Sequence, residues 1–482
     1  MIRRLACLVA ALAATACGGG GSSKPCDPVA QTGCASNQFC ETKQAATAGA
    51  PSTTACFAPV VISGTVTDPT TSPVTLLNDA RVVALDSNHA PVSTVAVSAG
   101  VGAAAGSYQI AVRAARDSTG KPLQANVTLR ADRQGNEPFP GGVRTALPID
   151  LSTATNSTGT WVVSGPLTAL QLLPIGVGAG QSFIQGSVSG LPSGAGALVV
   201  AEPVGGGSGL TGIADSSGAY SIYNLQQGAQ YVVTAYTKGM NYAPVTTPAL
   251  ATGVNNVAAL QPAAGTGATV AGGLTLINGA AAPFQATLVL QSTYNSNLDR
   301  GETPPGLTVS ADSSGYSFAG VPDGKYVVLA PFGDYGDIRL LSGTGNTAAP
   351  FVTVSGGVLQ TAPASFKIAP AVDLVSIGGT SVSATPVVLS AASPVFVWQK
   401  ANVDASAATY RVTVYDAFGN VAWGPIDQAA VSGTNTITYK GPSQSGMAYQ
   451  LRIVAIKEAI TVPASYTPLS QTEDLRGVFL FQ

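Results

Sequence analysis

The chain has 482 residues and a formal net charge of −2, with a single histidine and six cysteines, all of them within the first 56 residues. One imidazole cannot build a multi-histidine metal centre, and near-neutral charge without a Lys/Arg run gives nucleic acid no electrostatic footprint. Hydrophobic residues reach 45% while charged residues are only 10%, against a usual ~25% charged, and 56 Gly with 32 Pro suit short strands joined by tight turns.

Arg3 and Arg4 precede an apolar stretch from Leu5 to Ala16 that is too short to span a bilayer and reads as an export signal. It ends Leu12-Ala13-Ala14-Thr15-Ala16-Cys17, with small side chains at Ala14 and Ala16. This ending resembles the bacterial lipobox, which implies removal of residues 1–16, acylation of Cys17 and a membrane partner reached through lipid. Cysteine parity agrees, because cleavage discards Cys7 and leaves an odd set, Cys17, Cys26, Cys34, Cys40 and Cys56. With Cys17 lipidated, the other four can pair in an oxidising compartment. The alternative is plain secretion with Cys17 free or paired to another chain. Residues 17–25, including Gly18-Gly19-Gly20-Gly21-Ser22-Ser23, form a flexible tether. No Asp follows Cys17, so the resemblance implies the outer membrane. No later run approaches the ~20 apolar residues of a membrane helix.

Residues 26–57 carry Cys26, Cys34, Cys40 and Cys56 among Gly, Pro, Asn and Ser. A segment this short builds no independent core, so two disulfides are expected to hold it, with three connectivities open. Zinc is the rival, but it favours paired C-x2-4-C knuckles, which are missing. The stretch from Cys26 to Cys34 is similar to short cysteine modules behind the lipid anchor of myxobacterial surface lipoproteins.

From Pro59 onward, short apolar or alternating runs bounded by turn residues predict an all-β chain of sandwiches. Ala214-Asp215-Ser216-Ser217-Gly218-Ala219-Tyr220-Ser221-Ile222 matches Ala311-Asp312-Ser313-Ser314-Gly315-Tyr316-Ser317-Phe318 with one deletion. A second Gly follows in each, Gly228 or Gly324, then Tyr231-Val232-Val233 or Tyr326-Val327-Val328. Turn, tyrosine strand, turn and return strand make an antiparallel unit. The pattern resembles the carboxypeptidase regulatory-like domain, a transthyretin-related sandwich, and implies units at 176–265 and 266–370. A divergent copy is expected at 58–175, with Val61-Ile62-Ser63-Gly64, Ala80-Arg81-Val82-Val83-Ala84-Leu85 and Gly106-Ser107-Tyr108-Gln109-Ile110 as its strands.

Residues 371–482 read differently, with Phe396 and Trp398 in one strand, Tyr410, Val412 and Val414 in the next, and a late strand from Gly446 to Ala455. This order resembles the fibronectin type III fold and implies that Tyr449 is its corner tyrosine. The closing run from Gln471 to Phe479 is similar to that of myxobacterial extracellular modules. The expected whole is a rod of four sandwiches behind a small disulfide module.

The search for chemistry yields little. Zinc carboxypeptidases need two histidines and a glutamate on the metal, which one histidine cannot supply. No G-x-S-x-G elbow accompanies His89, which is read as a solvated loop residue. Asn295, Asn297, Asp299 and Glu302 place oxygens at alternate positions around Gly301, a spacing able to wrap Ca²⁺, with an ordinary Asx-rich turn as the competing reading. Of the three tryptophans, Trp398 is expected in the core, Trp423 near a strand end and Trp161 exposed. The expected function is a non-catalytic membrane-anchored lipoprotein presenting sandwiches for structural, adhesive or ligand-binding roles at the cell envelope. The alternative is a carbohydrate-binding accessory protein that stacks sugars on Trp161, Tyr242 or other loop aromatics. Its partner would be a glycan or an envelope protein.

Overall fold

The computed structural model describes residues 26–482 except 48, 101–103, 177–179, 193–194, 282, 334–335, 340–349, 401–405, 460–465 and 474. The signal segment and Cys17 lie outside the described residues. The chain is all-β, 51% strand and 2% helical.

At the N-terminus, strands Phe39–Lys43 and Thr53–Phe57 form an antiparallel hairpin in which Cys40 lies opposite Cys56. These neighbours are not bonded to one another. Cys40 pairs back to Cys26 and Cys56 to Cys34, so both strands are tied to the preceding loop. The module then docks on the next unit through Glu41 and Arg116, 3% and 0% exposed. The Glu41 carboxylate accepts from the Arg116 guanidinium and from the Ala114 amide at 3.0 Å, while Arg116 also donates to the Ala58 carbonyl at 2.8 Å. Burial raises the Glu41 carboxyl above its usual range even with Arg116 beside it.

Three units then repeat one topology. An opening strand pairs with a tyrosine strand: Val60–Asp68 with Ser107–Val112, Ser182–Ser187 with Ala219–Leu225, and Ala268–Gly272 with Tyr316–Val321. A second sheet centres on Arg81–Leu85, Ala197–Pro203 and Phe284–Leu290, each flanked by two antiparallel neighbours. The register shows a pairing that the sequence comparison missed. In every unit a glycine of the opening strand faces the tyrosine: Gly64 with Tyr108, Gly186 with Tyr220, and Gly272 with Tyr316. A methyl group at these glycines would stand 2.7, 2.5 and 2.2 Å from the phenol oxygen, so the ring lies over bare backbone.

The Asp-x-x-Gly turns behave as their composition requires. Asp215 accepts from the Ser217 amide at 2.9 Å and Asp312 from the Ser314 amide at 2.8 Å. Gly218 and Gly315 follow at φ +83° and +112°, where side chains are strained. The return-strand tyrosines also bond locally, Tyr231 accepting from the Gln226 amide and Tyr326 donating to the Pro322 carbonyl, both at 2.9 Å.

In the C-terminal unit, the sheet containing Val395–Gln399 faces one built on Thr409–Asp416 and Ala448–Ile456. Trp398 is fully buried, with its ring 5.4 Å edge-on from Tyr410. Tyr449 lies in a cluster with Tyr439, Phe479 and Phe481, and its hydroxyl accepts from the Gln444 amide at 3.4 Å.

These units do not form a rod of separate bodies. Val82 and Ala84 face the first unit's own core, while Val83 and Leu85 join Leu198, Val200, Ile213 and Tyr236 of the second unit and the main core of the third. Val143 and Leu173 of the first unit and Leu298 of the third enter the C-terminal core in the same way. The physical reason is that these sheets bury both faces. Strands such as Ala197-Leu198-Val199-Val200-Ala201 are therefore apolar at every position rather than at alternate ones.

Candidate functional site

A cluster of buried charge lies where the first three units meet. Arg130, in strand Asn126–Asp132, is 2% exposed and has a counter-ion on each side. It donates to Asp132 of its own strand at 3.0 Å, to Glu302 of the third unit at 2.9 Å and to Thr211 of the second at 2.9 Å. Burial opposes its charge, but the two carboxylates outweigh this and raise its pKa further. The same burial raises Asp132 above the usual carboxylate range despite Arg130.

Residues 133–145 extend this junction toward the C-terminal unit. Gln134 accepts from the Asn224 amide at 3.1 Å, and Asn224 holds Gly135 and Asn136 through its side chain at 2.7 and 2.8 Å. Glu137 accepts from Arg144 at 2.9 Å. Burial pushes the Glu137 carboxyl up to about 7, with Asp416 adding to the shift and Arg144 opposing it. Gly142 sits at φ +53°, where a methyl group would stand 1.5 Å from the Ala417 carbonyl, so only glycine lets the two units touch.

Between Asp132, Glu137, Leu210, Tyr223 and Glu302 lies a cleft of 180 Å³ to which all three units contribute. Its carboxylates, Asp132, Glu137 and Glu302, each accept from an arginine. His89 is half-buried rather than solvated, because its turn docks on the third unit, where the Gly306 amide donates to the Asn88 carbonyl at 2.8 Å. Desolvation lowers its pKa below the usual value, against the pull of Glu302 and Asp86.

The four residues considered for Ca²⁺ lie within eight positions of one another, and each already has protein partners. Asn295 accepts from the Asn297 amide at 2.9 Å, and Asn297 donates to the Gly419 carbonyl at 3.2 Å. Asp299 accepts from the Tyr294 hydroxyl at 2.5 Å, with Arg339 at 3.6 Å, while Glu302 turns to Arg130. Leu298, 1% exposed between them, enters the C-terminal core. The segment therefore serves as a plug between units. Among the described residues, the only close group of three metal-type ligand atoms comprises Cys26, Cys34 and Cys56, which are held in the disulfides.

The two aromatics named for sugar stacking pack against cores to different extents. Tyr242 is 5% exposed with its hydroxyl on the Met240 sulfur, and Trp161 is half-buried against the first core rather than exposed. Trp423 stands in strand Val421–Ala429, edge-on to Phe396. The three-unit cleft escaped sequence reasoning because its residues come from segments that nothing in the chain order links.

No family model matches the chain, and no curated protein matches it. Among solved structures, the chain is similar to the Bacillus anthracis TIE protein, with 11% identity over 66% of this chain and 51% of that one, and a TM-score of 0.16. It thus spans about half the length of that protein. It is also similar to the shaft pilin SpaA from Lactobacillus rhamnosus GG, with 12% identity over 43% of this chain and 99% of that one, and a TM-score of 0.17. A third likeness is to BcpA, the major pilin subunit of Bacillus cereus, with 8% identity over 65% and 99% of the two chains and a TM-score of 0.17. Scores of this size leave the functional reading to the geometry of the chain itself.

Proposed function

We propose that this chain is an exported, lipid-anchored envelope protein whose sandwiches act together as a rigid, non-catalytic structural or adhesive body at the cell surface. The observation that carries this reading is the sharing of core between units: Val83 and Leu85, Leu198 and Val200, and the third unit's core make one apolar cluster. Charged groups at the junction serve the same end, since Arg130 is bound to three units at once. A body built this way resists relative motion of its parts, which suits load-bearing or display more than a cycle of opening and closing.

Disulfides in the N-terminal module support an oxidising destination. The Cys17 lipobox and the tether behind it support membrane attachment, with acyl chains contributing ~0.8 kcal/mol per buried methylene. Metabolic labelling with a palmitate analogue tests the anchor, with label expected on the natural chain and lost in Cys17→Ser. Protease shaving of intact cells tests surface display, and release of no peptide from this chain would refute it.

A further inference from the structure

We propose that the N-terminal module is a thiol-reactive site, where a small thiol such as glutathione attacks the Cys34–Cys56 bond and the exchange passes inward to give Cys26–Cys34 and Cys40–Cys56. This goes beyond the envelope reading and does not rest on it, since the exchange needs only the four paired cysteines.

The two disulfides are neighbours in space. The sulfurs of Cys26, Cys34 and Cys56 all lie within 4.8 Å of one another, although Cys26 belongs to one bond and the other two to the second. Disulfides exchange when a thiolate attacks a bonded sulfur, so a thiolate freed at Cys34 already stands beside its next target. Exposure sets the point of entry. Cys34 and Cys56 are half-buried, whereas Cys26 is 7% and Cys40 2% exposed, so an outside thiol reaches the Cys34–Cys56 bond first.

The steps balance without net oxidation or reduction. The incoming thiolate bonds to the Cys56 sulfur and releases the Cys34 thiolate. Cys34 then attacks the Cys26 sulfur and expels the Cys40 thiolate. Cys40 attacks the Cys56 sulfur in turn and expels the small thiol, which leaves as it entered.

Backbone placement accommodates the product. Cys40 stands opposite Cys56 in the hairpin, where cross-strand Cα atoms lie roughly 4.5–5.5 Å apart. The present bonds span nearly the same Cα separations, 5.6 and 5.5 Å. In the loop, the bridge between Asp27 and Thr32 brings Gly33 against Cys26, so that a methyl group on Gly33 would stand 3.2 Å from the Cys26 Cα. Cys34 is the next residue along. Among the described residues no backbone pairing joins Cys34 to Cys40, which disfavours the third connectivity. Gln31 holds the parts in place while bonds change, accepting from the Cys40 amide at 3.1 Å and donating to the Cys40 carbonyl at 2.9 Å.

The consequence is mechanical. In the present pairing both hairpin strands are tied covalently to the loop. After exchange the loop closes on itself and the hairpin on itself. Hydrogen bonds then link the two, from Gln31 and from the Thr54 hydroxyl to the Cys26 carbonyl at 2.9 Å.

The full chain carrying Cys7→Ser and Cys17→Ser, which keeps only the four module cysteines, tests this with glutathione at about pH 8, where thiolates form. After acid quench and peptic digestion, mass spectrometry should find Cys26–Cys34 and Cys40–Cys56 linkages beside the original pairs. Adding Cys56→Ser removes the need for an outside thiol, and maleimide applied in acidic urea should divide between Cys34 and Cys40 rather than stay on Cys34. The first measurement keeps all four cysteines and so decides the matter even where Cys56→Ser fails to fold. Original pairs alone, a glutathione adduct without a new pair, a Cys34–Cys40 linkage in place of Cys40–Cys56, or maleimide confined to Cys34 would overturn the proposal.

Discussion

Replacing Arg130 with Met tests whether the three-unit junction holds the body together. Methionine keeps most of the stem volume but removes the guanidinium, leaving Asp132 and Glu302 without their counter-ion at side-chain exposures of 13% and 28%. Breaking a buried ion pair from one side costs about 3–5 kcal/mol. The lower end applies here because Glu302 retains some contact with water. Asp132 is already raised by burial, and losing Arg130 raises it further. A carboxyl whose folded pKa exceeds its unfolded value of ~3.9 destabilises the fold as pH rises from that value through the folded one. The variant's deficit should therefore be small near pH 4 and reach about 3 kcal/mol at pH 7.5. Urea unfolding followed by tryptophan fluorescence at both pH values measures it. Adding Asp132→Asn and Glu302→Gln to Arg130→Met should recover most of the loss, because no charge is then stranded. A deficit below about 1 kcal/mol at pH 7.5, or one of equal size at both pH values, would refute the reasoning.

Gly272→Ala should destabilise by about 1–3 kcal/mol because its methyl group overlaps the Tyr316 phenol, and Tyr316→Leu in the same chain should restore part of the loss in a thermal melt. Glu137, with a carboxyl near 7 when folded and ~4.3 when unfolded, resists ionisation in the native state. Stability should therefore fall by roughly 1.4 kcal/mol per pH unit across that window, and Glu137→Gln should lack this slope in parallel denaturations. Calcium or chelator should move the melting temperature by less than about 1 °C, because Asp299 and Glu302 face Tyr294 and Arg130 rather than a shared centre.

Much of the local structure was legible because it depends on neighbouring residues. Asp215-Ser216-Ser217-Gly218 encodes its turn through an aspartate that bonds two residues ahead and a glycine that accepts positive φ. The tyrosine strands and their returns follow from the same short-range chemistry. His89 and Trp161 were misplaced because exposure is decided by what docks from elsewhere. Asn295, Asn297, Asp299 and Glu302 show the same limit. Their spacing suits a cation, but Leu298 pulls the loop into a neighbouring core, and Arg130 and Arg339 lie beside the carboxylates.

The sequence by itself determined the β class, the turns, the repeated unit and the cysteine set available for pairing, since each rests on local propensity or composition. Tertiary structure decided which cysteines pair, which glycine lies beneath each tyrosine, and that the units share core rather than stand in a row. Continuous apolar runs such as Ala197-Leu198-Val199-Val200-Ala201 carry the trace of that sharing, but alone they do not name the partner face. Burial of the second face depends on which surface reaches it in space, and here Val83 and Leu85 reach it from more than a hundred residues away.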